Sequence, residues 1–329
     1  MTMISSGLGR WLMKWGAHFS YLALRKNELI TILCFHKISP HKDSFYPAMH
    51  PDLFKQFCKF LNKKYTIITF RALENLKQNK SDKPLLILTF DDGFQEFMEY
   101  ALPILQKENI RAILNVITNS LDNNVSYGWQ GCIDAARKKS HIELRSLAKN
   151  IGFEIVSNSR NEFEENFTLG FLNFFLRLDK EQCIEFEKEY LKEDHLKLTK
   201  LLSWDDVKQL DRLGFEIGSE THNHFSLPNL NQADLHFELT HSKLRLETEL
   251  NHLINIISFP FGKYNNLVLD QSKKAGYRYM LINDNRLNSA NNLAHGVFDR
   301  VLIYAKTIEQ LYFQTTGLQG KVSSAFHRS

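Results

Sequence analysis

Short runs of consecutive apolar residues recur along this chain. Between them lie segments whose apolar positions return every third or fourth residue. The short runs predict strands at Leu29–Phe35, Tyr65–Thr69, Leu85–Phe90, Ala112–Ile117, Phe215–Gly218, Ile254–Phe259, Tyr277–Ile282 and Val297–Tyr304. The longer-period segments predict helices at Pro51–Lys63, Gln95–Lys107, Trp204–Leu213, Ala233–Leu253 and Asn266–Lys274. After Asn231, residues Leu235, Leu239, Leu246, Leu250 and Leu253 fall near the 3.6-residue period of one helical face. Ser203 with Asp206 three residues on forms a capping box ahead of Val207 and Leu210, so Asp205 and Asp206 read as helix-start residues. Strands alternating with helices argue for an α/β fold.

Two stretches break this rhythm. Between about residues 123 and 200 there are helical patterns (Ile142–Asn150, Glu162–Leu176, Glu181–Lys192), many phenylalanines and many charges, but little strand signal. We read this as a helical insertion over one end of a single domain spanning residues 29–320. Residues 1–28 read as a separate amphipathic helix: over the first 26, Leu8, Trp11, Leu12, Trp15, Phe19 and Leu22 share one face and Arg10, Lys14, Arg25 and Lys26 are the only charges. Such a helix can lie on an anionic membrane surface through residues 1–26 or pack against its own domain, the commoner use of such a stripe.

Composition narrows the class. The 329 residues, 43% hydrophobic and 24% charged, are enough for a globular core and too apolar for a disordered chain. A formal charge of +4 is too small and dispersed to imply a nucleic-acid partner. Cys34, Cys58, Cys132 and Cys183 are widely spaced with no CxxC pair, which suits reduced thiols in a reducing compartment. The uncharged stretch Trp15–Leu24 contains His18 and lacks a cleavage site, and no run approaches the roughly 20 apolar residues of a spanning helix. A cytoplasmic protein, peripheral at the inner membrane face if its first helix binds lipid, is the expectation.

The candidate chemistry sits at strand ends. Leu88-Thr89-Phe90-Asp91-Asp92-Gly93-Phe94 ends a buried strand on two adjacent carboxylates. These are costly there unless a metal, a base role or hydrogen bonds compensate them, although Asp-Asp-Gly is also ordinary turn chemistry. Gly218-Ser219-Glu220-Thr221-His222-Asn223-His224 follows another short strand and sets carboxylate oxygen beside imidazole, a donor set suited to zinc. His36 closes a third strand, and Ser258-Phe259-Pro260-Phe261-Gly262 ends a fourth with a rigid turn. Functional residues at several strand ends are the arrangement expected at one rim of a parallel barrel.

Together these segments resemble the polysaccharide deacetylases, the carbohydrate esterases with a NodB-homology domain. Thr89-Phe90-Asp91-Asp92-Gly93 is similar to the family's first motif, and residues 220–224 to its second, His-Thr-x-x-His. Phe259-Pro260-Phe261-Gly262-Lys263-Tyr264-Asn265 is similar to its third. Cys34-Phe35-His36-Lys37-Ile38 resembles the Tyr-His-x-Ile element of the branch that deacetylates poly-N-acetylglucosamine. Agreement covers roughly residues 29–120 and 200–305, in the family's order. The resemblance implies a distorted (β/α) barrel and a divalent metal, zinc with cobalt or nickel as alternatives. It implies hydrolysis of an N-acyl group, an acetyl in the first instance, from an amino sugar during glycan assembly. Carried over, Asp92 and His224 would ligate the metal, Asp91 would be the general base and His36 the general acid. Arg300, in Phe298-Asp299-Arg300-Val301, would orient the base. Pro260, Phe261 and Gly262 would shape the substrate site, and Trp129 would either line it or pack within the insertion.

One departure matters. The first histidine of the second motif falls on Glu220, which adds negative charge beside the metal and would make a bound water harder to deprotonate. Three readings follow: Glu220 is itself a ligand, His222 supplies the missing imidazole, or the site holds no metal. The last would leave a deacetylase-like barrel that binds or scaffolds glycan without hydrolysis. Ser258 also stands where chitin-type relatives carry an arginine.

Overall fold

The computed structural model describes residues 29–75, 83–190, 199–304 and 306–315. The expected helix over residues 1–28, its membrane contact and the end of the expected domain at residue 320 lie outside the described residues. Among the described residues nine strands make one sheet: β1 (Ile30–Phe35), β2 (Thr66–Ile67), β3 (Leu85–Phe90), β4 (Ile113–Val116), β5 (Glu216–Ser219), β6 (Ile256–Ser258), β7 (Tyr279–Ile282), β8 (Val297–Asp299) and β9 (Val301–Leu302). Every strand pairing is parallel, which is why the strands read as near-continuous apolar runs: both faces are covered. The expected strand Val297–Tyr304 is interrupted at Arg300. Its first half pairs with β7 and its second with β1, so this one chain segment closes the sheet into a distorted (β/α) barrel.

The barrel interior has two layers. Period-two alternation turns Ile30 and Ile32, Ile87, Ile113, Ile256, Tyr279 with Leu281, and Phe298 inward as an apolar lower layer. Continued upward on the same parity, it brings Cys34, Thr89 with Asp91, Asn115, Glu220, Ser258 and Arg300 into a polar upper layer. The lower opening is plugged. β2 pairs only with the start of β3, and β4 only with its end. Phe70 fills the space left there, stacked on Tyr279 at 4.3 Å. The buried Glu216 carboxylate accepts the N–H groups of Phe70 (2.9 Å) and Arg71 (2.7 Å) at the start of the short helix Phe70–Asn75.

Helices cover the outside, beginning with α1 (Pro51–Lys64), α2 (Phe70–Asn75) and α3 (Leu102–Lys107). The expected helix Gln95–Lys107 contains a π-helical turn, Phe97–Ala101, ahead of α3. Pro103 lacks an N–H and its ring crowds the preceding turn, so that turn widens and the Leu102 N–H reaches back to Phe97. Between β4 and β5 lie α4 (Thr118–Asn123), α5 (Gly128–Ala136), α6 (His141–Asn150), α7 (Arg160–Phe175), α8 (Lys180–Tyr190) and α9 (Trp204–Arg212). On α7, Phe163, Phe167, Phe171 and Phe175 repeat every fourth residue and form one buried stripe. Ser203 and Asp206 make the expected reciprocal capping box on α9. The helix α10 (Gln232–Leu250) stops earlier than expected because Asn251 turns left-handed at φ 57° and caps it. Among the described residues no helix is long and apolar enough to cross a membrane.

Candidate metal and acid-base site

The C-terminal rim of the barrel brings five of the expected residues together. Asp91 and Asp92 follow β3, Glu220 and His224 follow β5, and Arg300 rises from the break in the last strand. Parallel register sets their heights: Cys34 lies beside Thr89, and Asn115 beside Gly218. Gly218 is required there, because a Cβ would stand 2.3 Å from the Asn115 amide oxygen.

Asp92, Glu220 and His224 each offer a ligand atom within 4.8 Å of the others, all three side chains buried. The His224 Nε2 faces Asp92 Oδ1 at 3.5 Å and Glu220 Oε1 at 3.8 Å. Glu220 is tied in place, its Oε2 accepting the Asp92 N–H (2.7 Å) and its Oε1 the Ser258 hydroxyl (3.1 Å). Burial and the adjacent Glu220 push the Asp92 carboxyl up to about 6, while Glu220 is raised by burial and by Asp91. Burial lowers the His224 imidazole against the pull of the nearby Asp92 carboxylate. The His224 ring sits between Tyr127 (4.6 Å) and Phe261 (4.8 Å), and Tyr46 donates to Asp92 Oδ2 (3.3 Å).

Backbone conformation marks the same place. Eight non-glycine residues among those described have positive φ. Four are asparagines, which tolerate it; the others are Asp92, Thr221, His224 and Phe261, all at this rim. For β-branched Thr221 and bulky Phe261 the conformation carries real strain.

Asp91 belongs to a different cluster. Arg300, fully buried, meets it with Nη1 on Oδ1 and Nη2 on Oδ2, both at 2.8 Å. Asn115 Nδ2 donates to Oδ1 (2.7 Å), and the Cys34 thiol (3.3 Å) reaches Oδ2. Burial alone would raise the Asp91 carboxyl, but the Arg300 charge and hydrogen bonds win and hold it at about 2. A His36 ring nitrogen, an Asp91 oxygen and the Cys34 sulfur lie within 4.8 Å of one another. The half-buried His36 ring is at the mouth of the barrel, flanked by Tyr46 and Tyr304.

The remaining expected residues are placed as follows. His222 points away from the cluster. Its Nδ1 pairs with the Thr118 hydroxyl (2.8 Å) and its ring packs on His241. Trp129 is buried among Phe171, Phe175 and Phe261, in the aromatic core of the insertion, with no open face for a sugar ring. Pro260 is buried, Phe261 walls His224, and Gly262 admits Asn283 where a Cβ would meet it at 2.8 Å. Asn283 in turn accepts from Arg300 Nε (2.9 Å), so that turn supports Arg300. Sequence reasoning missed Asn115, Tyr46, Tyr127 and the bonding roles of Cys34 and Ser258. For Asn115 the available signal was a single polar residue at an inward position of an apolar strand.

A family model described as polysaccharide deacetylase matches residues 78–280, more than half of the chain. No curated protein matches. The fold is similar to that of the Streptococcus pyogenes deacetylase PplD in complex with acetate, with TM-score 0.60 and 19% identity, over 87% of this chain and 98% of that one. It is similar to a polysaccharide deacetylase from Bacillus cereus, with TM-score 0.57 and 19% identity, over 87% and 69%. It is also similar to IcaB from Ammonifex degensii, with TM-score 0.56 and 14% identity, over 88% and 97%. At such identities the structural likeness is one of fold.

Proposed function

The chain belongs to the polysaccharide deacetylase family, and on that premise we propose that its rim site removes an N-acetyl group from an amino sugar, using one divalent cation held by Asp92, Glu220 and His224. The observation that carries this reading is the donor set itself. Three buried ligand atoms converge, with separations of 3.5 and 3.8 Å from the imidazole nitrogen to the two carboxylates. Such spacing suits a common ion at about 2 Å from each. Charge supports it too. Asp91, Asp92 and Glu220 are three buried carboxylates against the one buried guanidinium of Arg300, an imbalance equal to a divalent charge. Zinc is the first candidate, with cobalt and nickel next; two carboxylates make this a harder site than one carboxylate with two imidazoles. Of the two candidate third ligands, Glu220 is favoured over His222 by its place beside Asp92 and His224.

Asp92, Glu220 and His224 would hold the cation, which would supply Lewis acidity toward a water and the acyl carbonyl. Asp91, kept ionised by Arg300, receives the proton of the attacking water on a carboxylate oxygen. His36, at the mouth and within reach of Asp91, delivers a proton to the leaving amine nitrogen. Tyr46, Tyr127 and Phe261 exclude bulk water from the ligands. The four cysteines are unpaired and buried, which supports action in a reducing compartment. The test pairs Asp91→Asn with elemental analysis and a screen of N-acetylated sugars. The variant is expected to keep its metal and lose turnover; normal turnover would remove Asp91 as base. A wild-type protein that holds no zinc, cobalt or nickel would overturn the reading.

A further inference from the structure

The loop that carries His224 is gripped from outside the barrel by a carboxylate that the reaction does not use. Glu238, on α10, is 2% exposed. Its Oε2 accepts the N–H groups of both His222 (2.9 Å) and Asn223 (2.8 Å), and its Oε1 accepts the Asn223 side-chain amide (2.7 Å). Two successive N–H groups aimed at one oxygen make an anion nest, here filled by the protein's own side chain. The same helix holds the strand end before the loop, since Ser242 pairs with Ser219 (2.9 Å), whose hydroxyl accepts the Thr221 N–H (3.0 Å). On either side of the gripped pair His222 and Asn223, Thr221 and His224 have φ of 66° and 61°, a conformation Thr221 resists on its own. The Thr221 hydroxyl closes the turn by accepting the His224 N–H (3.1 Å).

We propose that Glu238 is a positioning residue for the cation site: it hydrogen-bonds to none of the three ligand side chains, yet its hydrogen bonds hold the loop in the strained form that aims His224 Nε2 at Asp92 and Glu220. The inference rests on the reading of those three residues as a cation site. Without Glu238, the two N–H groups of half-buried His222 and Asn223 lose their acceptor and the loop relaxes toward conformations that withdraw the imidazole. Glutamine can keep the geometry. Its oxygen serves both backbone groups, and its NH2 can face the oxygen of a rotated Asn223 amide.

The test titrates Co2+ into the chelator-treated full chain and follows visible absorption, with chelator competition for the affinity. Metal-free thermal unfolding is recorded in parallel. Glu238→Ala is expected to weaken Co2+ binding by roughly 10- to 100-fold, the range for residues that orient a metal ligand. Glu238→Gln is expected to restore most of that affinity. Wild-type affinity in Glu238→Ala, whatever its melting temperature, would show a structural role only and overturn the inference. So would a Glu238→Gln variant as weak as Glu238→Ala, since charge and not geometry would then matter. If Glu238→Ala does not fold, Glu238→Asp withdraws the carboxylate by one methylene, and unweakened binding there is equally fatal. No Co2+ bound by the wild-type protein would instead sink the cation reading, and the inference with it.

Discussion

Replacing Arg300 with methionine tests the electrostatic design of the upper layer. The substitution keeps apolar bulk and removes both 2.8 Å contacts to Asp91, along with the bonds to Asn283 (2.9 Å), Ser258 (2.9 Å) and Thr89 (3.2 Å). Leaving a buried carboxylate without its partner costs about 3–5 kcal/mol. The Asp91 pKa gives a lower bound. It is held at about 2 instead of 3.8, and at ~1.4 kcal/mol per pH unit that net shift alone is worth about 2 kcal/mol. The pairing must also offset burial, so its gross contribution is larger. The sign with pH follows. In the wild type the depressed Asp91 contributes stability that is full above the ordinary carboxylate range and lost as pH falls through about 2. In the variant, burial is opposed only by the Asn115 bond and the nearby His36, so the carboxyl moves up from its wild-type value and the stability it contributed near neutrality is lost. The gap between the two proteins should therefore be widest near neutrality and narrow toward about pH 4. Urea unfolding of chelator-treated protein measures it. Asp91→Asn in the Arg300→Met background should recover much of the loss. Equal unfolding free energies at neutral pH, or no recovery in the double variant, would refute the reasoning.

Two further outcomes follow from the same layer. Gly218→Ala sets a Cβ 2.3 Å from the Asn115 oxygen and 3.0 Å from Ile256, and Asn115 is fixed by its bond to Asp91. A loss of about 1–3 kcal/mol is expected as a lower urea midpoint at unchanged slope; a wild-type midpoint would contradict the register. Because the Asp92 carboxyl is pushed up to about 6, cation binding must displace a proton below that pH. The Glu220 carboxyl is raised as well, so apparent zinc affinity, by calorimetry in buffers of different ionisation heat, should rise by at least about tenfold per pH unit below ~6. A flat profile below about pH 6 would contradict a site whose ligand carboxyls are raised.

The barrel was legible because its strands are covered on both faces, and Leu85–Phe90 or Tyr277–Ile282 therefore stand out as apolar runs. Asp91, Asp92, Glu220 and His224 were legible as charge or imidazole at the ends of such runs. What sequence could not reveal depends on tertiary pairing. Val297–Tyr304 reads as one strand, and nothing local says that Arg300 divides it between two neighbours. Glu238 precedes Leu239 on a helix and looks like an ordinary solvent-facing charge until the loop after β5 folds onto it. His222 and His224 are two apart and locally equivalent; only the left-handed turn at Thr221 and His224 sends one ring inward and the other toward His241. The π-helical turn was foreshadowed by Pro103, a proline inside a helical pattern.

Glu220, which departs from the family's second motif, and Ser258, which stands where chitin-type relatives carry an arginine, explain each other. The Ser258 hydroxyl has one proton and two carboxylate oxygens in range, Asp91 Oδ2 at 3.2 Å and Glu220 Oε1 at 3.1 Å. Asp91 Oδ2 already faces Arg300 Nη2 and the Cys34 thiol, whereas Glu220 Oε1 has no other donor bond among the described residues. The proton is therefore better placed on Glu220. Ser258 meanwhile accepts from Arg300 Nη2 at 2.9 Å, which polarises its O–H toward the acceptor. Arg300 thus acts on both carboxylates, Asp91 directly and Glu220 through one hydroxyl. An imidazole at position 220 would have no use for that relay. A glutamate requires it, because a third buried carboxylate with only the Asp92 N–H to hold it would be too costly to keep ionised and so could not serve a cation.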